Sequence, residues 1–231
     1  MNIDKLSKRL ETLIRYIPFG SRIADIGSDH AYLPCYAVAK GSVLFAIAGE
    51  IAEGPYQTAK RQVKQAGLAN KIAVRKGDGL EVVQENEVDC ITIAGMGGPL
   101  IVKILDQGKQ KLTYVKRLIL QPNIHAAAIR FWLAENGWVL IAEEILEEDH
   151  KIYEILVAEK GTAVMSEADM LFGPFLRREK SAAFQKKWCR EKQKWEMILK
   201  ELEKTEETAA LLHKKQKLRK KIAFVREILH E

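Results

Sequence analysis

The first 17 residues place Ile3, Leu6, Leu10, Leu13 and Ile17 three or four positions apart, which predicts an amphipathic helix over 2–17. After Pro18-Phe19-Gly20 the pattern changes to short apolar runs at 23–26, 43–48, 72–74, 88–94, 118–120, 138–145 and 152–157. The first five runs are rich in Ile and Val, end in glycine or polar turns, and alternate with helix-like segments at about 31–40, 54–67, 98–108 and 125–136. That alternation predicts buried parallel strands joined by crossover helices. Residues 146–151 are too few for a crossover helix, so the last two runs are expected to pair antiparallel. The expected fold is a doubly wound α/β sheet, mostly parallel, with an antiparallel terminal hairpin.

Beyond these strands the period changes. Phe184, Trp188, Glu191, Trp195, Ile198 and Leu202 follow heptad steps, and Leu211, Lys215, Leu218, Ile222, Val225 and Leu229 repeat them after a break at 205–208. Two such seams predict an antiparallel coiled-coil helical hairpin, with Glu191 and Lys215 as the charged seam positions that help set register. Gly161, Gly173 and Pro174 interrupt the pattern. The expected division is a body over 1–165 and a helical tail over 166–231.

Composition narrows the class. Of 231 residues, 47% are hydrophobic and 29% charged, which excludes a disordered chain. Cys35, Cys90 and Cys189 lie far apart with no CxxC spacing, so neither a zinc site nor a disulfide framework is expected. The N-terminus interleaves charged and apolar residues, unlike a signal peptide, and no run of about 18 apolar residues exists. A cytoplasmic monomer without metal or membrane attachment is the expectation. Residues 176–231 hold 17 Lys or Arg against 9 Asp or Glu, net +8, and the totals of 37 and 31 leave the rest at −2. A slightly acidic body with a strongly basic tail suits a polyanionic partner, because neutralised phosphates release counterions. A lysine-rich solvated helix face is the plainer alternative.

The candidate chemistry begins where the first strand runs into Asp25-Ile26-Gly27-Ser28-Asp29-His30. A glycine turn at the carboxyl end of the first strand of a doubly wound sheet is a ligand-binding position. Dinucleotide sites use three glycines around a pyrophosphate, whereas this turn has one glycine flanked by two carboxylates that would repel it. A ligand with positive charge and no phosphate fits better, and S-adenosylmethionine carries an ammonium and a sulfonium. Glu50, closing the second strand, can accept from both hydroxyls of a ribose. Asp78, in Gly77-Asp78-Gly79 after the third strand, can accept from an adenine amino group. Each of these acids alone is also an ordinary turn residue.

The stretches DIGSDHAYLP at 25–34, AGE at 48–50, GDGL at 77–80, IAGMGG at 93–98 and QPN at 121–123 resemble the class I S-adenosylmethionine-dependent methyltransferases. They resemble more closely the bacterial tRNA adenine-22 N1-methyltransferase family, and the likeness extends into the coiled-coil tail. The resemblance implies a Rossmann-like methyltransferase sheet, S-adenosyl-L-methionine as cofactor and tRNA as partner. It implies a cofactor site using Asp25, Gly27, Glu50, Asp78 and Gly79, to which Ser28, Ala94, Gly95 and Met96 are added as neighbours.

Methyl transfer to adenine N1 uses an existing lone pair, so positioning and charge stabilisation matter more than a strong base. Asp29, His30 and Asn123 are the catalytic candidates, with Asp29 placed to stabilise a positive base. The segment Ala94-Gly95-Met96-Gly97-Gly98-Pro99 lacks the Asn/Asp-Pro-Pro-aromatic pattern of exocyclic-amine methylation and is expected to be a small-residue loop. Tyr32, Gly97, Gln121 and Pro122 are expected to contact the base, although Asn123 reads equally well as an N-cap and a helix-start role suits His30 better than catalysis. The base must leave its stack first, and Lys217, Arg219 and Lys220 of the tail are expected to hold the RNA backbone. Methyl transfer to another RNA or a small molecule, and a non-catalytic RNA-binding scaffold, remain the competing readings.

Overall fold

The structure is a computed structural model, which describes residues 5–204 and 208–229. Among these, seven strands form one sheet: β1 (Ser21–Ile26), β2 (Val43–Glu50), β3 (Ile72–Lys76), β4 (Cys90–Gly97), β5 (Arg117–Ile124), β6 (Trp138–Glu148) and β7 (Lys151–Lys160). Their order is β3-β2-β1-β4-β5-β7-β6, with β1 to β5 parallel and β7 running antiparallel between β5 and β6. Asp149 and His150 close the β6–β7 hairpin with φ of 49° and 62°, the left-handed pair that a two-residue primed turn requires.

Both faces of the parallel strands are covered. The helices α1 (Lys8–Arg15), α2 (Tyr32–Ala39) and α3 (Glu53–Gln65) bury Leu13, Leu33, Ala59 and Val63 against one face with Ile23, Ala46 and Ile119. The helices α4 (Gly98–Gln107) and α5 (Ala126–Glu135) bury Ile101, Leu105, Ile129 and Leu133 against Ala24, Ile47 and Ile91 on the other. Successive residues such as Ile23 and Ala24 therefore serve opposite cores, which explains why these runs are continuously apolar. Each fully buried aliphatic side chain contributes about 1.5–3 kcal/mol.

The expected elements are present, with informative differences in extent. The first helix begins at Lys8, where the Ser7 side chain accepts from the Leu10 N–H, and Ile3 lies outside the described residues. The expected loop at 94–99 is instead the end of β4, still paired with β5 through Met96 opposite Pro122 and Gly97 opposite Ile124, followed directly by the first residues of α4, Gly98 and Pro99. Gly95, at φ +79°, absorbs the register shifts there, so the small residues form a bulged strand end. Among the described residues no helix is long and apolar enough to cross a membrane.

The tail consists of α6 (Glu167–Phe172), α7 (Leu176–Glu179), α8 (Ala182–Leu202) and α9 (Ala209–Leu229). Ion pairs Arg219–Glu203 and Arg226–Glu196 ascend one helix while descending the other, so α8 and α9 run antiparallel. Most of the expected break lies at 205–207, outside the described residues. Phe172, Leu176, Phe184, Trp188 and Val225 form a third core against Ile145 of β6. Beside it is a buried charged cluster: Arg130 Nε donates to Glu143 at 2.7 Å, Arg130 Nη2 to Glu154 at 3.1 Å, and Lys187 Nζ to Glu154 at 2.5 Å. The Phe175 N–H donates to the other Glu143 oxygen. The tail is thereby joined to the sheet by apolar packing and buried charge together.

Candidate active site

The strand order reverses between β1 and β4, and a cleft of about 310 Å³ opens at their carboxyl ends, where open α/β sheets bind ligands. Asp25 forms its floor. Its carboxylate is buried, accepting from the Ser28 hydroxyl and from the Thr92 hydroxyl, both at 2.6 Å. Burial pushes its carboxyl above the ordinary range, although the two hydroxyls and Arg9 pull the other way. Gly27 follows with φ +68°, and a Cβ there would lie 2.2 Å from the Met96 methyl. Only glycine allows both the left-handed backbone and the thin wall.

Asp29, His30 and Ala31 all adopt left-handed backbone, at φ 41°, 68° and 56°. Such a run is strained and needs an anchor. Glu50 supplies one, accepting the Asp29 N–H at 2.5 Å. Glu50 is buried, and burial lifts its carboxyl above the usual range despite this hydrogen bond. The Asp29 carboxylate is left 79% exposed, and the His30 and Tyr32 rings stack with centres 5.4 Å apart. Ala31 holds the N-cap position of α2, and the Asp29 side chain caps no helix.

The opposite wall joins the motif residues Gly95, Gln121 and Asn123 to α1 and β7, which no local motif marked. Arg9 of α1 donates from Nη1 to the Gln121 carbonyl oxygen at 2.5 Å, and its guanidinium lies 5.4 Å from the Tyr153 ring centre. Glu148 of β6 orients α1 by accepting the first helical N–H, that of Lys8, at 2.5 Å. Gln121 is fully buried; its oxygen also accepts the Gly95 N–H, and its NH₂ donates to Asn123. Asn123 in turn donates to the Gly95 carbonyl at 2.7 Å. His125, not Asn123, is the N-cap residue of α5.

The sequence-derived candidates therefore separate into four groups. Asp25, Gly27, Ser28, Asp29 and Tyr32 from the first turn, Ala94, Gly95 and Met96 from β4, and Asn123 from β5 line the cleft together. Gln121 is fully buried and buttresses the rim, Pro122 is buried beside it at the edge of the adjoining groove, and Gly97 and His30 stand next to the cleft lining in the chain. Glu50, Asp78 and Gly79 lie at the neighbouring strand ends beside the cleft, and Glu50 is joined to its lining through the Asp29 N–H. The Gly77 N–H donates to the Glu50 carbonyl, and exposed Asp78 caps a single 3₁₀ turn starting at Gly79. Lys217, Arg219 and Lys220 are remote from it, and two are engaged in ion pairs, Arg219 with Glu203 and Lys220 with Glu167.

Sequence reasoning passed over Arg9, Leu10 and Thr92. Thr92 reaches Asp25 because it is its partner in the β1–β4 register, and Arg9 because α1 is docked on Glu148. Neither relation has a local sequence signal.

A mostly parallel sheet with this order and an acidic glycine turn at its switch point has the Rossmann-like fold of class I methyltransferases. A family model described as tRNA (adenine(22)-N(1))-methyltransferase matches residues 23–227. The tRNA (adenine(22)-N(1))-methyltransferase of Bacillus subtilis is 52% identical over 99% of both chains. The crystal structure of the B. subtilis M1A22 tRNA methyltransferase superposes with a TM-score of 0.93, covering 97% of this chain and 98% of the other. A Streptococcus pneumoniae protein solved in complex with S-adenosyl-L-methionine is 46% identical, with a TM-score of 0.89 over 98% and 100% of the two chains. The chain belongs to the tRNA (adenine(22)-N(1))-methyltransferase family.

Proposed function

We propose that this protein uses S-adenosylmethionine to methylate N1 of adenine 22 in tRNA. The observation carrying that reading is the acidic glycine turn opening into a cleft at the β1/β4 switch point. The cleft fits the cofactor on its own chemistry. A Cβ at Gly27 would collide with Met96, and the carboxylates of Asp25 and Glu50 lack a cation within ion-pair distance among the described residues. When bound, S-adenosylmethionine supplies an electrophilic methyl group.

The chain's own residues have the following roles in this reading. Glu50 accepts ribose hydroxyls, Asp78 accepts from the adenine amino group, and Gly79 leaves space beside them. Asp25 ties the turn through Ser28 and Thr92, so that the Gly27 and Ser28 backbone holds the ligand's amino-acid end. Ala94, Gly95 and Met96 form the opposing wall. Asp29, exposed at the mouth, stabilises positive charge as it develops on the base. Tyr32, with His30 stacked behind it, and Asn123, fixed to Gly95, hold the base edge. The body over 1–165 carries this chemistry, and the basic tail over 166–231 holds tRNA.

The direct test is tritium transfer from labelled cofactor to purified tRNA, followed by mapping of the modified base. Label at N1 of adenine 22 is the expected result, and Asp29→Ala should lower the rate at saturating cofactor and tRNA by tenfold or more. Label elsewhere, or none with folded protein, contradicts the reading.

A further inference from the structure

Beyond Asn123 and Tyr153, which line both spaces, the cleft continues into a larger groove of about 620 Å³. One wall is the sheet rim, 122–127 and 150–154, and the other is the face of α8 bearing Arg190 and Lys194, completed by Lys221 of α9. Five cationic side chains, Lys151, Lys187, Arg190, Lys194 and Lys221, line it against the carboxylates of Glu154 and Glu191. Glu154 is already neutralised by Lys187 and Arg130. Lys151, Arg190 and Lys194 are exposed, and none forms an ion pair with a described carboxylate. Ile124, 61% exposed, adds an apolar step at the rim.

We infer that this groove receives the phosphodiester strand flanking the target adenosine and leads the unstacked base past Asn123 and Tyr153 into the cleft. The inference rests on the function proposed above and adds the route and the residues. A base that leaves its stack stays tethered to its own phosphates, so the cations that offset unstacking must adjoin the cleft mouth. Arg190, Lys194 and Lys151 meet that condition. Lys217, Arg219 and Lys220 do not, because they lie outside both spaces and two of them already hold carboxylates. Tyr153 spans the two spaces, with Arg9 over its ring.

The test compares Arg190→Glu/Lys194→Glu with Lys200→Glu/Lys214→Glu, an equal charge change at exposed positions outside the groove. tRNA binding is read by fluorescence anisotropy across a salt series, cofactor binding by calorimetry, and folding by thermal melting. The groove variant should bind tRNA at least tenfold more weakly with a salt slope shallower by about one to two units. Its melting and cofactor affinity should be unchanged, and the control should stay within threefold of wild type. Equal losses in both variants, or wild-type binding by the groove variant, overturn the inference. So does a loss confined to Lys217→Ala/Arg219→Ala/Lys220→Ala. Failure of the proposed function has a different signature, wild-type protein that transfers no methyl to tRNA.

Discussion

Two pairs of buried carboxylates in this chain have opposite surroundings. Glu143 and Glu154 share Arg130, and Glu154 also has Lys187, so charge meets charge at 2.5–3.1 Å inside the joint between sheet and tail. Asp25 and Glu50 are equally buried, but among the described residues their carboxylates form no ion pair and accept hydrogen bonds from two hydroxyls and one backbone N–H, with Arg9 acting on Asp25 from farther away. The consequence appears in their protonation. Burial would raise Glu154, yet Lys187 and Arg130 together hold its carboxyl below the ordinary range, whereas burial leaves Asp25 and Glu50 above it. Glu143 is also raised, by burial with Arg130 opposing it, so Glu154 with its two cations is the member of the four that is held down. The acids with cation partners join the tail to the sheet, whereas Asp25 and Glu50, on the proposed function, serve the cofactor site.

The largest effect should come from breaking the satisfied pair. Arg130→Met removes the cation common to Glu143 and Glu154, leaving Glu143 buried without an ion-pair partner. The expected loss of unfolding free energy is about 3–5 kcal/mol, measured by denaturant titration. A loss below about 1 kcal/mol would mean that the joint tolerates the buried charges without Arg130. The two pairs also differ in pH dependence. The lowered carboxyl of Glu154 gives stability that is present above its unfolded pKa and lost as pH falls through the folded value. The raised carboxyl of Asp25 acts oppositely, keeping its proton longer in the folded state, so its contribution weakens as pH rises between the unfolded and folded values. Asp25→Asn should therefore make stability fall less steeply, or rise more steeply, over that interval. Each pKa unit of difference is worth about 1.4 kcal/mol. A variant with the wild-type pH profile of stability would show that Asp25 does not titrate in this way.

Much of the sheet was legible because apolar runs bounded by turns mark buried strands regardless of tertiary context. The acids ending β1 and β2 were legible because the first turn of such a sheet has a fixed geometric role. What escaped depends on non-local register. Thr92 meets Asp25 only across the β1–β4 pairing, and Arg130 meets Glu143 and Glu154 only once β6 and β7 are in register and α5 is docked. Basic residues in the tail could be counted from sequence, but which ones face the groove is set by the rotation of α8 against the sheet. For that reason Lys217, Arg219 and Lys220 stood out in sequence while Arg190 and Lys194 occupy the groove. The strand pairing of Met96 and Gly97 escaped because glycine-rich segments carry no strand preference of their own.

On the proposed function, Glu50 binds the cofactor and Asp25 ties the turn that holds it, while the paired acids hold the fold. Calorimetric titration of S-adenosylmethionine into folded Glu50→Gln tests this division most directly. The substituted amide retains a side-chain oxygen for the Asp29 N–H, which preserves the strained turn, but it lacks the carboxylate that accepts ribose hydroxyls. The expected result is about tenfold weaker binding, equivalent to about 1.4 kcal/mol, with a melting temperature close to wild type. Wild-type affinity in that variant, or weakened binding explained by a comparable loss of stability, would contradict the division of roles.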